Sequence, residues 1–459
     1  MTADRTSARA GGEDRRRRPK ARFLAVDFFC GAGGTTRGLI DAGGYVIAGV
    51  DKEAGCGATY SDPANNANET YDRKPPRFLC RDVFRRSAET PKGEQDQLMA
   101  ELKDLVGSFR RRFRRTPLLF AVCAPCQPFT KLARKGISPE RELRRARDAD
   151  LLRQACRFIR KFKPEMVLSE NVAGIEDPKY GGVWEAFRRR LERMGYATGS
   201  KVVCTSRFGV PQYRKRSILM AVRKELARPE RFADLLGREL LVPEADPDAR
   251  LVSVREAIGH LPALQAGQAD PGIPNHRARG LDEVNRFRLA ATRPGESNAY
   301  MARTEHGDLT LSCHRRVNGR LGSRCFGDVY TRMRPDQPSP TITTRCISVS
   351  NGRFGHYDTG QVRAITVREA ALLQSFPQGY RFHPLGEMEA GARMVGNAVP
   401  PRLASFFASY LVNSLVEPTG ARGARGAARR PTPRRARVLR PPTPPRGRRV
   451  HRGRLASVA

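Results

Sequence analysis

Within its 459 residues the chain has no apolar run long enough for a membrane span. Its first residues are polar and arginine-rich and lack the apolar stretch of a secretory signal, so secretion is not expected. The ten cysteines (30, 56, 80, 123, 126, 156, 204, 313, 325 and 346) are scattered rather than clustered as in a small disulfide scaffold, which fits a reducing compartment. The seven histidines show no ligand spacing with them, so no structural zinc and no other metal is expected. Acid is scarce, and from Pro418 onward it is missing altogether while arginine occurs 13 times.

Charge is abundant, and of one sign. The net charge is +37; the 13 arginines after residue 417 and a net +5 in residues 1–22 leave +19 for the body between them. A body this basic calls for a polyanionic partner, and nucleic acid is the commonest one. The segment from 418 onward is Arg, Pro, Gly and Ala with almost no large apolar side chains, so it cannot build a core and reads as a disordered tail, as do residues 1–22.

From 23 to 222, strand-like and helix-like runs alternate. The strand-like runs are Phe23–Phe29, Tyr45–Val50, Arg77–Cys80, Leu118–Val122, Met166–Ser169, Lys201–Cys204 and Ser217–Val222; helical runs include Asp148–Phe162 and Trp184–Met194. Such alternation predicts an α/β fold with a mostly parallel sheet and helices on both faces. Residues 223–330 lose the alternation and are rich in Pro, Gly, His and Arg, which suggests a separate, loop-rich basic module. Regular patterning returns with "REAALLQSF", whose apolar residues at helical spacing read as scaffold, and ends near Val416.

The stretch "VDFFCGAGG" at 26–34 is a strand running into a Gly-rich turn, with "TTRGLIDAG" as the helix after it. Glycine allows close backbone approach to a ligand, and a helix start offers free N–H groups. Asp51 ends the next strand, where an acid can hold ribose hydroxyls; Asp82 follows the third and could accept a hydrogen bond from an adenine amino group. The turn lacks the full G-x-G-x-x-G pattern of dehydrogenases, which suits a nucleoside ligand without a pyrophosphate.

The stretch "AVCAPCQPFT" at 121–130 ends an apolar strand and puts Cys126 in a proline-stiffened loop at its carboxyl end. Three readings stand: a buried structural thiol, a redox pair in Cys123-Ala124-Pro125-Cys126, or an activated nucleophile. A nucleophile needs a partner acid or base, and "MVLSENVAGI" places Glu170 and Asn171 at the carboxyl end of the next strand, on the same edge of the sheet.

These pieces, with others, resemble the DNA cytosine-5 methyltransferase family. In the family's order stand "DFFCGAGG" at 27, Asp51, "RDV" at 81, "APCQPFT" at 124, "ENVAGI" at 170, "VPQYRKRS" at 210, "TVREAALLQSFP" at 366 and "GNAVPP" at 396; "IPNHRARG" and "YTRMRPDQPSPTITT" resemble stretches flanking the family's target-recognition region. The resemblance spans roughly residues 23–416. Ala124 and Thr130 depart from a common proline and serine, and Asp51 replaces a frequent glutamate.

The resemblance implies a Rossmann-like S-adenosylmethionine-dependent catalytic domain over 23–222, a target-recognition domain over 223–345, and a hinge and return to the catalytic domain over 346–416. By carry-over, Cys126 attacks carbon 6 of a flipped-out cytosine, so that carbon 5 can take the methyl group. Glu170 serves ring nitrogen 3, Asn171 holds its loop, and Arg214 and Arg216 lie near the base and its phosphate and favour the thiolate. Phe29, Gly31, Gly33, Asp51, Asp82 and Asn397 would line the S-adenosylmethionine site, with "GNAVPP" packed beside the first Gly-rich turn. The implied partners are double-stranded DNA and a cognate restriction endonuclease, with no membrane; the protein is expected to be a monomer in the cytoplasm, at the nucleoid. An RNA methyltransferase of the same fold, or a catalytically dead DNA-binding member, is the alternative.

Overall fold

The computed structural model describes residues 21–69, 71–125, 139–177, 182–234, 237–296, 301, 303–311, 316–317, 320–321 and 328–415, with 139–149, 316–317 and 320–321 as backbone only. The described residues belong to the first of two units, Met1–Val416.

Seven strands form one sheet: β1 (Phe23–Phe28), β2 (Gly44–Asp51), β3 (Arg77–Cys80), β4 (Leu118–Val122), β5 (Met166–Val172), β6 (Tyr196–Cys204) and β7 (Lys215–Arg223), in the order β3-β2-β1-β4-β5-β7-β6. Each overlaps one of the seven strand-like runs of the sequence, although β6 begins at Tyr196 rather than Lys201 and β5 runs on to Val172 rather than Ser169. β3, β2, β1, β4 and β5 run parallel, while β7 is antiparallel to both its neighbours. The reversal has a simple cause: the link between Cys204 and Lys215 holds a single 3-10 turn, Thr205–Phe208, and is too short for the crossover that a parallel pair demands.

The helices are α1 (Gly34–Asp41), α2 (Gly57–Tyr60), α3 (Pro63–Asn66), α4 (Gln95–Arg112), α5 (Pro139–Phe162), α6 (Val183–Arg193), α7 (Val254–Ile258), α8 (Glu283–Ala290), α9 (Val367–Leu373), α10 (Met388–Asn397) and α11 (Pro401–Asn413). β1 and β4 are buried at every position, so they read as continuous apolar runs, as strands covered on both faces do. Alternate side chains divide between two cores. Leu24, Val26, Phe28, Leu118, Phe120 and Val122 meet α4, α5 and α6 on one face. Phe23, Ala25, Leu119 and Ala121 meet α1 and α11 on the other. Each such Phe or Leu contributes roughly 1.5–3 kcal/mol of burial.

Beyond the sheet, Val254, Ile258, Met333 and Ile342 share a core with α9 and α10, whereas Leu289, Met301, Val329, Tyr330, Val349 and Ala364 form a small core of their own. Polar centres supplement these. The buried guanidinium of Arg332 donates to the carbonyls of Leu289, Thr292, His356, Asp358 and Gln361. Thr366 and Glu369 form a capping box on α9, and Arg363 donates to the same Glu369 carboxylate at 2.7 and 2.8 Å. Burial alone would raise that carboxyl, yet the Arg363 hydrogen bonds and charge hold it at about 2.

The chain finally returns to its beginning. A methyl group added to Gly34 would lie 2.4 Å from the carbonyl oxygen of Val399, and one on Gly38 would lie 2.3 Å from that of Pro401. The two glycines therefore let the "GNAVPP" segment and α11 lie against α1.

Candidate active site

The turn after β1 is tightly wound. Phe29, Gly31 and Gly33 have φ of 61, 50 and 91°, a left-handed conformation that costs a non-glycine residue such as Phe29 about 1 kcal/mol or more. The Cys30 N–H donates to the Val50 carbonyl, and the Gly31 N–H donates to Asp51 Oδ2 at 2.8 Å. Asp51 Oδ1 accepts from the Glu53 N–H at 2.9 Å. Burial pushes the Asp51 carboxyl above its ordinary value, against these two donors. Gly31 faces open space, with nothing within 4 Å of where a Cβ would stand, whereas Gly33 is packed: a Cβ there would meet Asn66 Nδ2 at 2.5 Å and the Tyr380 hydroxyl at 2.8 Å. That hydroxyl donates to the Ala32 carbonyl at 2.5 Å, bracing the turn from the C-terminal part of the chain.

On the other side of β1, strands β4, β5 and β7 end at the same edge. In the antiparallel register Glu170 opposes Ile218 and Val172 opposes Arg216, so Glu170 and Arg216 are diagonal neighbours on one face. Their side chains meet at 2.7 Å and are nearly buried. Asn171 points elsewhere: its Nδ2 donates at 3.0 Å to the carbonyl of Ala124, tying β5 to the loop after β4, and Ser169 donates to Val122 one step below. Burial pushes the Cys123 thiol well up, with the Glu170 charge adding to the effect, so Cys123 is held neutral. Cys126 lies outside the described residues.

Between these two sets lies a cavity of about 890 Å³. Phe29, Gly31, Asp51 and Asp82 line one end, Glu170, Arg214 and Arg216 the other, and Asn397 a side wall; Cys123, Ala124 and Pro125 also reach it. Asp82 Oδ1 accepts from the Phe84 N–H, which fixes its carboxylate. Gly33 and Asn171 are not in the lining: one shapes the turn, the other holds a loop.

The sequence reading missed the rest of the side wall. Ala390, Met394 and Asn397 face the cavity at a spacing of four and three residues along α10, with Glu387 just before its start, which is one helical face; the signal was present in "MVGNAVPP" and the residues before it. It also missed Gln212, buried in the motif "VPQYRKRS", whose amide bridges Gln374 Oε1 and the Ile342 N–H. Arg214 donates to the carbonyls of Ile342 and Gly396, so the loop before β7 is stitched to α10 and to the segment 342–344. The donor set fits a nucleoside carrying a cationic centre: an aromatic ring, two carboxylates and a Gly-rich turn with room beside it. Among the described residues no group of three or more His, Cys, Asp or Glu is placed to hold a metal ion.

Comparison with known proteins agrees with this geometry. Residues 110–413 match the family described as C-5 cytosine-specific DNA methylase. The type II methylase M.HgiDII of Herpetosiphon aurantiacus is 32% identical over 388 residues, 84% of this chain and 94% of that protein. The type II methyltransferase M.XorII of Xanthomonas oryzae is 25% identical, covering 86% and 85%. Among solved structures, a protein assigned as a DNA modification methyltransferase of an E. coli prophage superposes with a TM-score of 0.56 over 85% of this chain and 99% of that one; at 20% identity it speaks to the fold alone. The fold is thus the Rossmann-like one of S-adenosylmethionine-dependent methyltransferases, and the chain belongs to the family of C-5 cytosine-specific DNA methylases.

Proposed function

We propose that the protein is a sequence-specific DNA methyltransferase that acts on a flipped-out cytosine through a covalent bond to Cys126. The observation that carries this reading is the cavity in which the Glu170–Arg216 pair and the loop reaching Pro125 face Phe29, Asp51 and Asp82. Cys126 follows Pro125 directly in sequence. Phe29 would stack on the adenine of S-adenosylmethionine, Asp51 would hold its ribose and Asp82 its amino group, with Asn397 closing the side. When bound there, that molecule supplies a methyl group on a sulfonium, ready for transfer to carbon 5.

The protein's own part is to make carbon 5 nucleophilic. The Cys126 thiolate adds to carbon 6 of the ring, and Glu170 protonates or hydrogen-bonds nitrogen 3, where the negative charge gathers. Arg216 orients that carboxyl and adds positive charge beside the base, which also favours the thiolate. After methyl transfer, loss of the carbon-5 proton and expulsion of the thiolate restore the aromatic ring. Asn171, by gripping Ala124, keeps the thiol-bearing loop in register with Glu170. A base stacked in a duplex cannot reach such a cavity, so it must be rotated out. The target-recognition surface is assigned to 223–345, and the protein's place to the cytoplasm, at the nucleoid, as the modifying partner of a restriction endonuclease.

The test is a transfer assay with labelled S-adenosylmethionine and unmethylated genomic DNA, followed by bisulfite sequencing. The expected result is methylation of carbon 5 within one short sequence. Cys126→Ser is expected to retain duplex binding while losing at least about 10³-fold in transfer. Full turnover by that variant would refute the covalent route; transfer to RNA but not DNA would refute the substrate.

A further inference from the structure

Beside the cavity is a second pocket, of about 420 Å³, whose lining is cationic. Three arginines from distant parts of the chain converge on it: Arg279 after α7, Arg345 after the "TIT" segment, and Arg393 on α10. Thr344, Ser348 and Asn351 add hydroxyl and amide donors. The one carboxylate in the lining, Glu389, sits 3.1 Å from Arg279. That pair is exposed and so weakly neutralising. Among the described residues no carboxylate lies within ion-pair distance of Arg345 or Arg393.

The convergence is built. A Cβ on Gly396 would lie 2.3 Å from the Thr344 nitrogen, so α10 lies directly on the chain that carries Arg345. Arg214 then clamps both walls, through the carbonyls of Ile342 and Gly396. Arg393 lines both this pocket and the larger cavity. Forked guanidinium donors with hydroxyls between them match the oxygens of a phosphate, and guanidinium is only weakly hydrated.

We propose that Arg279, Arg345 and Arg393 form a binding site for a backbone phosphodiester of the DNA strand, next to the nucleotide whose base enters the cavity. This rests on the DNA reading above and names where that substrate is gripped. Because Arg214 joins the pocket walls to the cavity, a phosphate held here is registered against the reacting base.

The experiment uses the full-length protein and sheared unmethylated duplex DNA, with affinity measured as a function of salt. Arg345→Gln is expected to weaken DNA binding about fivefold and to make the slope of log K against log salt shallower by about 1, the signature of one lost phosphate contact. Arg345→Lys is expected to keep the slope. S-adenosylmethionine binding, measured by calorimetry on each variant, is expected to stay unchanged, showing an intact fold. An Arg345→Gln slope equal to the wild type's would overturn the pocket alone. So would a variant that loses affinity for inorganic phosphate but keeps the DNA slope, since the site would then serve a free anion. Failure of the wild type to bind duplex DNA would overturn the DNA reading and the pocket together.

Discussion

Asp27, the second-last residue of β1, is wholly buried at the edge where the site is built. Its Oδ2 accepts from Thr36 at 2.7 Å, while Oδ1 has no hydrogen-bond partner among the described residues. Burial, the largest effect, pushes the carboxyl up to about 7, against the Thr36 hydrogen bond. A carboxyl raised in the folded state contributes stability that is complete below its unfolded value and is lost as pH climbs through the folded one. From pH 5 to 8 the loss amounts to about 3 kcal/mol. Asp27→Asn is expected to remove it, so that thermal midpoints of variant and wild type diverge steadily over that range; parallel pH profiles would show that Asp27 stays ionised in the fold. Little of this was legible beforehand. "VDFFCGAGG" discloses a strand and a turn, but depth of burial depends on what α1 and α11 lay over the strand. Cys123 was equally open in sequence, and that its thiol is pushed well up, by desolvation first and then by the Glu170 charge, follows from the fold and not from the motif.

Among the elements, a tight joint lies between the start of α1 and the segment leading into α11. Gly34→Ala would force a methyl group into the Val399 carbonyl, and overpacking of this kind costs about 1–3 kcal/mol or more. It is expected to lower the denaturant midpoint and, by shifting Ala398 and Val399 in the cavity wall, to weaken S-adenosylmethionine binding. Gly31→Ala, with free space but φ of 50°, is expected to lose about 1 kcal/mol without that defect in packing. A Gly34→Ala protein as stable as the wild type would mean that the segment has room to move. β1, β2, β4 and β7 could be read because strands covered on both faces are plain apolar runs, whereas β6, with Lys201 and Val202 exposed, was read only over its last four residues. The region from 223 to 345 could not be read, and there guanidinium groups holding carbonyls supplement the apolar cores: Arg332 with five, and Arg368 with those of Pro274 and Tyr380. Such centres leave no periodic trace. Nor does a cavity wall drawn from α10, unless its spacing is tested for a second face.

For the whole molecule the dominant quantity is charge. The +37 total includes a C-terminal tail of 13 arginines with no acid. Removing residues 418–459 is expected to weaken nonspecific DNA binding and flatten its salt dependence while leaving the methylated sequence unchanged, because the tail lies outside the segment assigned to base reading. Binding at several ionic strengths with bisulfite sequencing of the product reads both; a changed target sequence would give the tail a part in recognition. The basic composition foretold a polyanion, and the ordered motifs its chemistry, but neither could show that Arg279, Arg345 and Arg393 share one pocket.

Phe29 and Asn397 face the same cavity although nearly the whole folded chain separates them. A ribosome adding about 5–20 residues per second makes the two walls tens of seconds apart. On the function proposed above, the growing chain lacks the α10 wall of the donor site until that wall emerges, and it is expected to be inert toward the DNA around it. A chain that stops short of α10 is then expected to stay inert, so that activity would report synthesis carried almost to its end.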